Sequence, residues 1–162
     1  MKKAKPINMI VACSANRVIG KGGKLPWSIP EDWQYFLDKT AGGILIEGRK
    51  AYEEFGKALP GRTTIVLTRN PSVSYPDAHT AGSIERALEM AQGMEGAIWI
   101  GGGQRIYEDV LPLTDLLYVT EVHAELEGDT FFPEWKSELP VLVSRLQRRD
   151  ANFGYDFCIY GR

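Results

Sequence analysis

The sequence is poor in cysteine: its 162 residues contain only two, Cys13 and Cys158. Two cysteines so far apart do not form a metal cluster or a redox CxxC motif, so we predict no metal site. Each lies in an apolar run, which favours a buried, reduced thiol. Reduced thiols fit a cytoplasmic protein.

Long apolar runs are also absent, and neither sign of charge dominates. No stretch approaches the length that spans a bilayer. The apolar run at 9–12 is too short for a secretion signal, so we expect a buried first strand there. The net charge of −2 gives no general basic surface, which argues against nucleic acid and membrane partners. Any anion site must therefore be local.

The sequence does contain an alternation of predicted short strands and helices, without repeats or linkers. Its length is typical of one domain, so we predict a single domain over residues 1–162. Apolar and β-branched runs predict strands at 7–14, 44–46, 63–68, 97–100 and 116–122, then two antiparallel strands around an Asn-Phe-Gly turn at 152–154. Helices are predicted at 30–39, 49–55, 83–90 (with Ser83 as N-cap) and 104–110. The pattern favours a three-layer α/β domain with a mixed, mostly parallel sheet and an antiparallel C-terminal strand.

Basic residues follow three of the predicted strands: Arg49 and Lys50, then Arg69, then Arg105. Ligands bind at the carboxyl ends of strands in open α/β sheets, and helix N-termini there favour anions. The arrangement predicts a phosphorylated ligand, although solvated surface charges would give the same pattern.

The glycine run 101–103 allows either close approach of the backbone to a ligand or a tight packing turn. Two standard nucleotide motifs fail here. "GKGGKL" lacks the P-loop spacing and its final Ser/Thr, and "GGGQRI" lacks the third glycine of the dinucleotide fingerprint.

Glu31 and Asp32 stand side by side in the first turn of the predicted helix 30–39. A carboxylate there stabilises the helix dipole without any further function. The neighbouring residues Trp33, Tyr35 and Phe36 could instead desolvate one carboxylate and shift its pKa toward proton transfer. Local pattern does not choose between the two acids.

Five segments in order resemble the dihydrofolate reductase family over nearly the whole chain: "RVIGKGGKLPWSIPED", "GR" at 48–49, "LPGRTTIVLT", "IGGGQRIYEDVLP" and "LYVTEVHAELEGDTFFP". The resemblance implies reduction of 7,8-dihydrofolate to tetrahydrofolate with NADPH, a reaction that supplies one-carbon metabolism. It also selects Asp32 over Glu31 as the carboxylate that binds the pterin, with a water delivering the proton to N5.

The resemblance implies further residues one by one. For catalysis it implies Asp32 with Trp27, Thr120 and Leu25. For the substrate it implies Ile10, Asp32, Phe36, Lys57, Leu59, Arg62 and Thr120, with Arg62 pairing the α-carboxylate of folate. For NADPH it implies Ala12, Val18, Ile19, Gly20, Lys24, Arg49, Lys50, Ala51, Thr68, Arg69, Gly102, Gly103, Gln104, Arg105, Ile106 and Tyr107. A mobile loop near residue 20 would pair with Asp129.

Three features depart from the family pattern. Glu47 replaces an apolar residue and could weaken NADPH binding, and Ala51 replaces a hydroxyl residue that contacts the pyrophosphate. The segment 100–107 is one residue longer than usual. We match Gly102-Gly103, rather than Gly101-Gly102, to the family's cis-linked glycines, because this places Arg105 at the cofactor phosphate.

Two other functions stay open: a reductase of the same architecture that acts on a pyrimidine of riboflavin synthesis, and a non-catalytic nucleotide- or pterin-binding protein. The Pro26-Trp27 pair, Asp32 and "LPGR" favour folate. Antifolate inhibitors are further expected ligands, and a cytoplasmic monomer is the default expectation.

Overall fold

An eight-stranded sheet forms the centre of the fold in the computed structural model, which describes residues 4–162. The strands are β1 (Ile7–Ser14), β2 (Val18–Gly20), β3 (Ile44–Gly48), β4 (Thr63–Leu67), β5 (His79–Ala81), β6 (Ile98–Ile100), β7 (Leu116–Val122), β8 (Thr130–Phe131), β9 (Val141–Arg149) and β10 (Gly154–Gly161). β2 and β8 form a separate two-stranded sheet. Residues 1–3 of the predicted domain lie outside the described residues.

The large sheet has the strand order β5-β4-β3-β6-β1-β7-β10-β9. Its pairs from β5 to β7 are parallel, whereas β10 is antiparallel to both β7 and β9. The prediction of a mostly parallel sheet with an antiparallel C-terminal end is therefore confirmed.

Within residues 4–162, four α-helices connect the strands: α1 (Pro30–Thr40), α2 (Arg49–Phe55), α3 (Ile84–Gln92) and α4 (Gln104–Val110). Pro30 suits the first turn of α1 because its φ is already helical. The Ser83 side chain accepts a hydrogen bond from the Arg86 backbone N–H, which confirms the predicted N-cap of α3.

The core lies on both faces of the sheet. On one face, Met9, Ile46 and Leu117 pack with Ala87 of α3 and Val110 of α4. On the other face, Ile10, Leu45 and Trp99 pack against Tyr35 and Phe36 of α1. Helices thus cover the two faces, as the predicted three-layer arrangement requires.

Three details differ from the predicted elements or add to them. The strand predicted at 44–46 continues to Gly48, so Glu47 lies inside it. The small sheet of β2 and β8 and the edge strand β5 were not predicted.

Cys13 and Cys158 are buried and free, which confirms the predicted thiols. Within residues 4–162, no helix has the length and apolarity to cross a membrane.

Candidate active site

A cavity of about 570 Å³ opens between α1 and the carboxyl-terminal halves of β1 and β7, beside the glycines that follow β6. The sequence-predicted residues that line it are Ile10, Ala12, Ile19, Leu25, Trp27, Asp32, Phe36, Ala51, Gly102, Gly103, Tyr107 and Thr120. The other predicted residues lie outside its lining: Val18, Gly20, Lys24, Arg49, Lys50, Lys57, Leu59, Arg62, Thr68, Arg69, Gln104, Arg105 and Ile106.

Asp32 faces this cavity from the first turn of α1. Thr120 lies beside Ala12 in the β1–β7 pairing, and its hydroxyl donates to Asp32 Oδ1 at 2.6 Å. Burial raises the pKa of Asp32, and the hydrogen bond from Thr120 opposes part of that rise. The cavity therefore contains an aspartate that holds a proton more tightly than an exposed one.

Glu31 points away from the cavity toward the C-terminal strands. Arg148 of β9 donates to both its carboxylate oxygens, with a shortest distance of 2.6 Å, and the Tyr155 hydroxyl donates to Oε1 at 2.9 Å. The hydrogen bond from Arg148 lowers the pKa of Glu31. The two adjacent acids are thus separated, and only Asp32 is in a position to meet a ligand in the cavity.

The loop between β2 and α1 forms one wall of the cavity. Gly22 donates to Asp129 Oδ2 at 2.9 Å and Asp129 donates to the Gly20 carbonyl at 3.0 Å, so the expected contact between Asp129 and the loop is present. Gly22 and Gly23 have φ values of 59° and 80°, a region that glycine adopts at little cost. Leu25 follows them and is 55% exposed at the cavity.

Trp27 closes the base of this loop and is buried. Its indole Nε1 is also buried and has no hydrogen-bond partner among residues 4–162. A buried indole N–H normally finds a partner. Because Trp27 lines the cavity near Asp32, a bound water or ligand atom would satisfy this donor.

The glycines after β6 bring bare backbone to the cavity. The peptide bond between Gly102 and Gly103 is cis, which agrees with the choice of this pair over Gly101-Gly102. Gly48 donates to the Gly102 carbonyl at 2.9 Å, and a Cβ at Gly103 would meet no atom within 4 Å. A ligand can therefore approach the backbone closely at Gly103.

The predicted basic residues lie beside these glycines. Arg49 begins α2 after β3, Arg69 follows β4, and Arg105 lies in the first turn of α4 after β6. Since β4, β3 and β6 are neighbours in the sheet, their carboxyl ends share one edge. All three arginines are exposed, and guanidinium groups are suited to binding phosphates. Bare glycine backbone next to exposed arginines fits a dinucleotide phosphate such as that of NADPH.

Comparison with known proteins settles the family. The family model described as "Dihydrofolate reductase" matches residues 6–162. The chain belongs to the dihydrofolate reductase family. Dihydrofolate reductase of Staphylococcus haemolyticus is 41% identical over 162 residues, which cover 96% of this chain and 95% of that protein. The Bacillus subtilis enzyme is 40% identical over 157 residues, with 95% and 93% covered.

A solved structure agrees with these relatives. Dihydrofolate reductase from Enterococcus faecalis, complexed with NADP(H) and RAB-propyl, superposes with a TM-score of 0.91 at 37% identity. The match covers 97% of this chain and 96% of that one. The predicted membership of the family and the predicted fold class are both confirmed.

One departure from the dihydrofolate reductase pattern has an unexpected setting. Glu47 lies inside β3, one residue before the N-cap of α2, and only 1% of its surface is exposed. Burial, followed by the nearby charge of Glu54, raises the pKa of Glu47 to about 7. Near pH 7 this carboxyl group is therefore protonated in a substantial fraction of the molecules, unlike an exposed glutamate.

The residues expected at the folate tail lie past the cavity, toward the end of α1. Arg62 donates to the Leu37 carbonyl at 2.9 Å and to the Pro60 carbonyl. Its Nε is buried without a partner among the described residues. Leu59 packs against the cluster of Ile10, Leu45 and Trp99, and Lys57 is exposed.

Sequence reasoning missed part of the cavity lining of this dihydrofolate reductase: Val11, Ser28, Ile29, Pro30, Glu54 and Phe55. Trp33, Tyr35 and Gly101, which the sequence singled out without assigning them to the site, also line the cavity. The rings of Trp33, Phe36 and Phe55 form a cluster with centroid distances between 5.4 and 6.4 Å. The spacing of Trp33 and Phe36 along α1, with Ile29 at its N-cap, was an available signal, because these positions share one helix face with Asp32.

Proposed function

We propose that the chain reduces 7,8-dihydrofolate to 5,6,7,8-tetrahydrofolate. NADPH supplies the hydride when bound. The observation that carries this proposal is Asp32, which the Thr120 hydroxyl holds at 2.6 Å in a cavity that also receives the bare Gly102-Gly103 backbone. One cavity thus combines a carboxylate for the pterin with a surface suited to a dinucleotide.

Asp32 binds the amino group and ring N3 of the pterin in this proposal. Its negative charge stabilises the substrate when N5 takes up a proton, because a fixed charge in a water-poor site acts strongly. Asp32 sets charge and hydrogen bonding while a water delivers the proton. The unsatisfied Trp27 indole supports a water site nearby.

The cofactor lies along the glycine edge in this proposal. Ala12 and Ile19 adjoin the nicotinamide, Leu25 excludes water from it, and Gly102-Gly103 allow close approach of the backbone. The exposed arginines after β3, β4 and β6 bind the 2′-phosphate and pyrophosphate as charged, forked donors. Folding of the loop over this part of the cavity would protect the transferred hydride from water.

Arg62 and Lys57 bind the carboxylates of the folate tail, and Phe36 forms the wall for its aromatic ring. We further propose that antifolate inhibitors occupy the same cavity and that the enzyme is a cytoplasmic monomer. The two buried, free thiols are consistent with a reducing compartment.

The test follows the loss of NADPH absorbance with and without dihydrofolate. We expect folate-dependent oxidation by the wild type, and in Asp32→Asn a rate at pH 7 lowered roughly 10²- to 10³-fold with NADPH binding retained. The variant should recover part of its rate toward pH 5, because a larger fraction of the substrate is protonated in solution there. Asp38→Asn, on the exposed part of α1, is the matched control.

Two results would contradict the proposal. The wild type could fail to oxidise NADPH at micromolar enzyme in the presence of dihydrofolate, while turning over an aminopyrimidine of riboflavin synthesis. Alternatively, Asp32→Asn could keep the wild-type rate at pH 7. Asp32 would then serve only to stabilise the first turn of α1.

A further inference from the structure

Glu47 is a buried carboxyl group without a role in the mechanism above. It lies in β3, one residue before Gly48, whose backbone N–H donates to Gly102 at the cofactor edge. Only 1% of its surface is exposed, and its Oε2 atom has no hydrogen-bond partner among residues 4–162. An ionised carboxylate in such a place is expensive unless a donor or cation compensates it.

The polar groups that face Glu47 do not provide that compensation. The negative charge of Glu47 acts on the hydroxyl groups of Tyr52 on α2 and Tyr107 on α4. Tyr52 donates its hydroxyl hydrogen to Asp77, and Tyr107 donates its own to the Ile10 carbonyl at 2.9 Å. Both hydroxyls are therefore committed elsewhere, and the position opposite Glu47 on β4 is the apolar Val66.

The remaining charged neighbour, Glu54 on α2, is of the same sign and faces the cavity. Its charge raises the pKa of Glu47, and burial also raises its own pKa, which Lys50 lowers in part. Glu54 lines the cavity, and its Oε1 lies 3.8 Å from the place that a Cβ on Gly23 of the loop would occupy. Glu54 thus places at the ligand space a negative charge that also acts on Glu47.

We propose that Glu47 and Glu54 form a proton-linked pair at the cofactor side of the cavity, so that NADPH binding is coupled to uptake of a proton by Glu47. NADPH is a polyanion, and its charge adds to that of Glu54 in opposing ionisation of Glu47. Because linkage is reciprocal, protonated Glu47 favours NADPH and NADPH favours protonated Glu47. The proposal rests on NADPH binding in this cavity, which the proposed function includes.

The experiment measures NADPH binding rather than turnover. Titration calorimetry at pH 7.0 to 8.5, in two buffers with different heats of ionisation, gives the affinity and the number of protons taken up. Above pH 7 we expect the wild-type Kd to rise by up to about tenfold per pH unit, with net proton uptake on binding. Glu47→Gln should show a flatter pH dependence and less proton uptake. The NADPH phosphate and Asp32 titrate in wild type and in Glu47→Gln alike, so the difference in proton uptake between the two proteins reports Glu47.

Two further variants keep the test decisive. The buried amide of Glu47→Gln could disturb folding, and thermal denaturation of that variant would report this. Glu47→Met, which has an apolar side chain of similar length, should then show the same flatter pH dependence and smaller proton uptake. Glu54→Gln removes the repulsive charge, so the loss of affinity should begin at a lower pH than in wild type. Glu95→Gln, exposed before β6, is the control for loss of a remote carboxylate.

Equal proton uptake by wild type and Glu47→Gln would overturn the proposal, as would an unchanged pH dependence in Glu54→Gln. Wild-type protein that binds no NADPH at any pH would instead contradict the proposed function. The two failures are therefore distinguishable.

Discussion

At the scale of single residues, Glu31 and Asp32 are adjacent acids whose environments act on their charge in opposite directions. Burial raises the pKa of Asp32, whereas the hydrogen bond from Arg148 lowers that of Glu31. The folded protein thus holds the Asp32 proton more tightly than the unfolded chain does, so ionisation of Asp32 costs stability as the pH rises above about 4. The stabilisation from Glu31 has the opposite sign: it is present above about pH 4 and is lost in acid.

We therefore expect opposite changes in the free energy of unfolding from two isosteric substitutions. At pH 7, Asp32→Asn should raise it by about 0.5 to 2 kcal/mol, because the substitution removes a buried charge. Glu31→Gln should lower it by about 0.5 kcal/mol, since its ion pair with Arg148 is partly exposed to solvent. Urea denaturation at pH 7 and pH 3.5 tests both, and the differences should shrink at pH 3.5. Changes of the same sign at pH 7 would be inconsistent with this account.

The choice between these two acids illustrates what local sequence cannot provide. Helix-start pattern placed both residues in one turn, yet their roles depend on partners 88 and 117 residues away, Thr120 and Arg148. Only the family resemblance selected Asp32 in advance. The burial of Glu47 was hidden for a related reason: the apolar run ended at Ile46, whereas parallel pairing with β4 carries the strand to Gly48.

At the scale of elements, the short pair β2–β8 holds the active-site loop. Gly128 stands next to this pair, where a Cβ would lie 2.6 Å from the Gly20 carbonyl oxygen and would also overlap Val18. Gly128→Ala should therefore lower the free energy of unfolding by about 1 to 3 kcal/mol, the usual cost of overpacking, and should weaken NADPH binding by displacing the loop. Urea denaturation and fluorescence titration with NADPH provide the two measurements.

Gly82→Ala is the matched control, because a Cβ there meets no atom within 4 Å. It should change the free energy of unfolding by less than about 0.5 kcal/mol. Equal effects of the two substitutions would show that contact at Gly128 does not support the loop.

Elements with an apolar run or helix signals were predictable, whereas β2, β5 and β8 were not. β1, α2, α4 and β7 have the bounds expected from their apolar runs and helix signals. β2 and β8 contain three and two residues, too few for a periodic pattern. Their pairing depends on a contact across more than a hundred residues, from Gly22 to Asp129. The fold class was therefore accessible from sequence, whereas the strand pair beside the β2–α1 loop was not.

At the scale of the whole molecule, β9 forms an open edge of the sheet. Two antiparallel strands were predicted at the C-terminal end, but the place of β9 at the edge follows only from the pairing order, in which β9 pairs with β10 and with no other strand of residues 4–162. Along β9, Leu142, Val143 and Leu146 are between 45 and 58% exposed. The second half of the strand contains three arginines, at 145, 148 and 149, whose charge opposes pairing with another chain, whereas the first half has no charged residue. An exposed apolar edge can pair with another chain.

We accordingly expect self-association through β9 when the protein is warmed or concentrated. Val143→Lys places a charge in the uncharged first half of β9. It should slow the increase in light scattering with time below the melting temperature. Its kcat should be unchanged, because β9 does not line the cavity, and its free energy of unfolding should change by less than about 0.5 kcal/mol. Ser74→Lys adds the same charge to an exposed loop beyond the opposite edge. If both lysine variants slow scattering equally, net charge rather than the β9 edge controls the association.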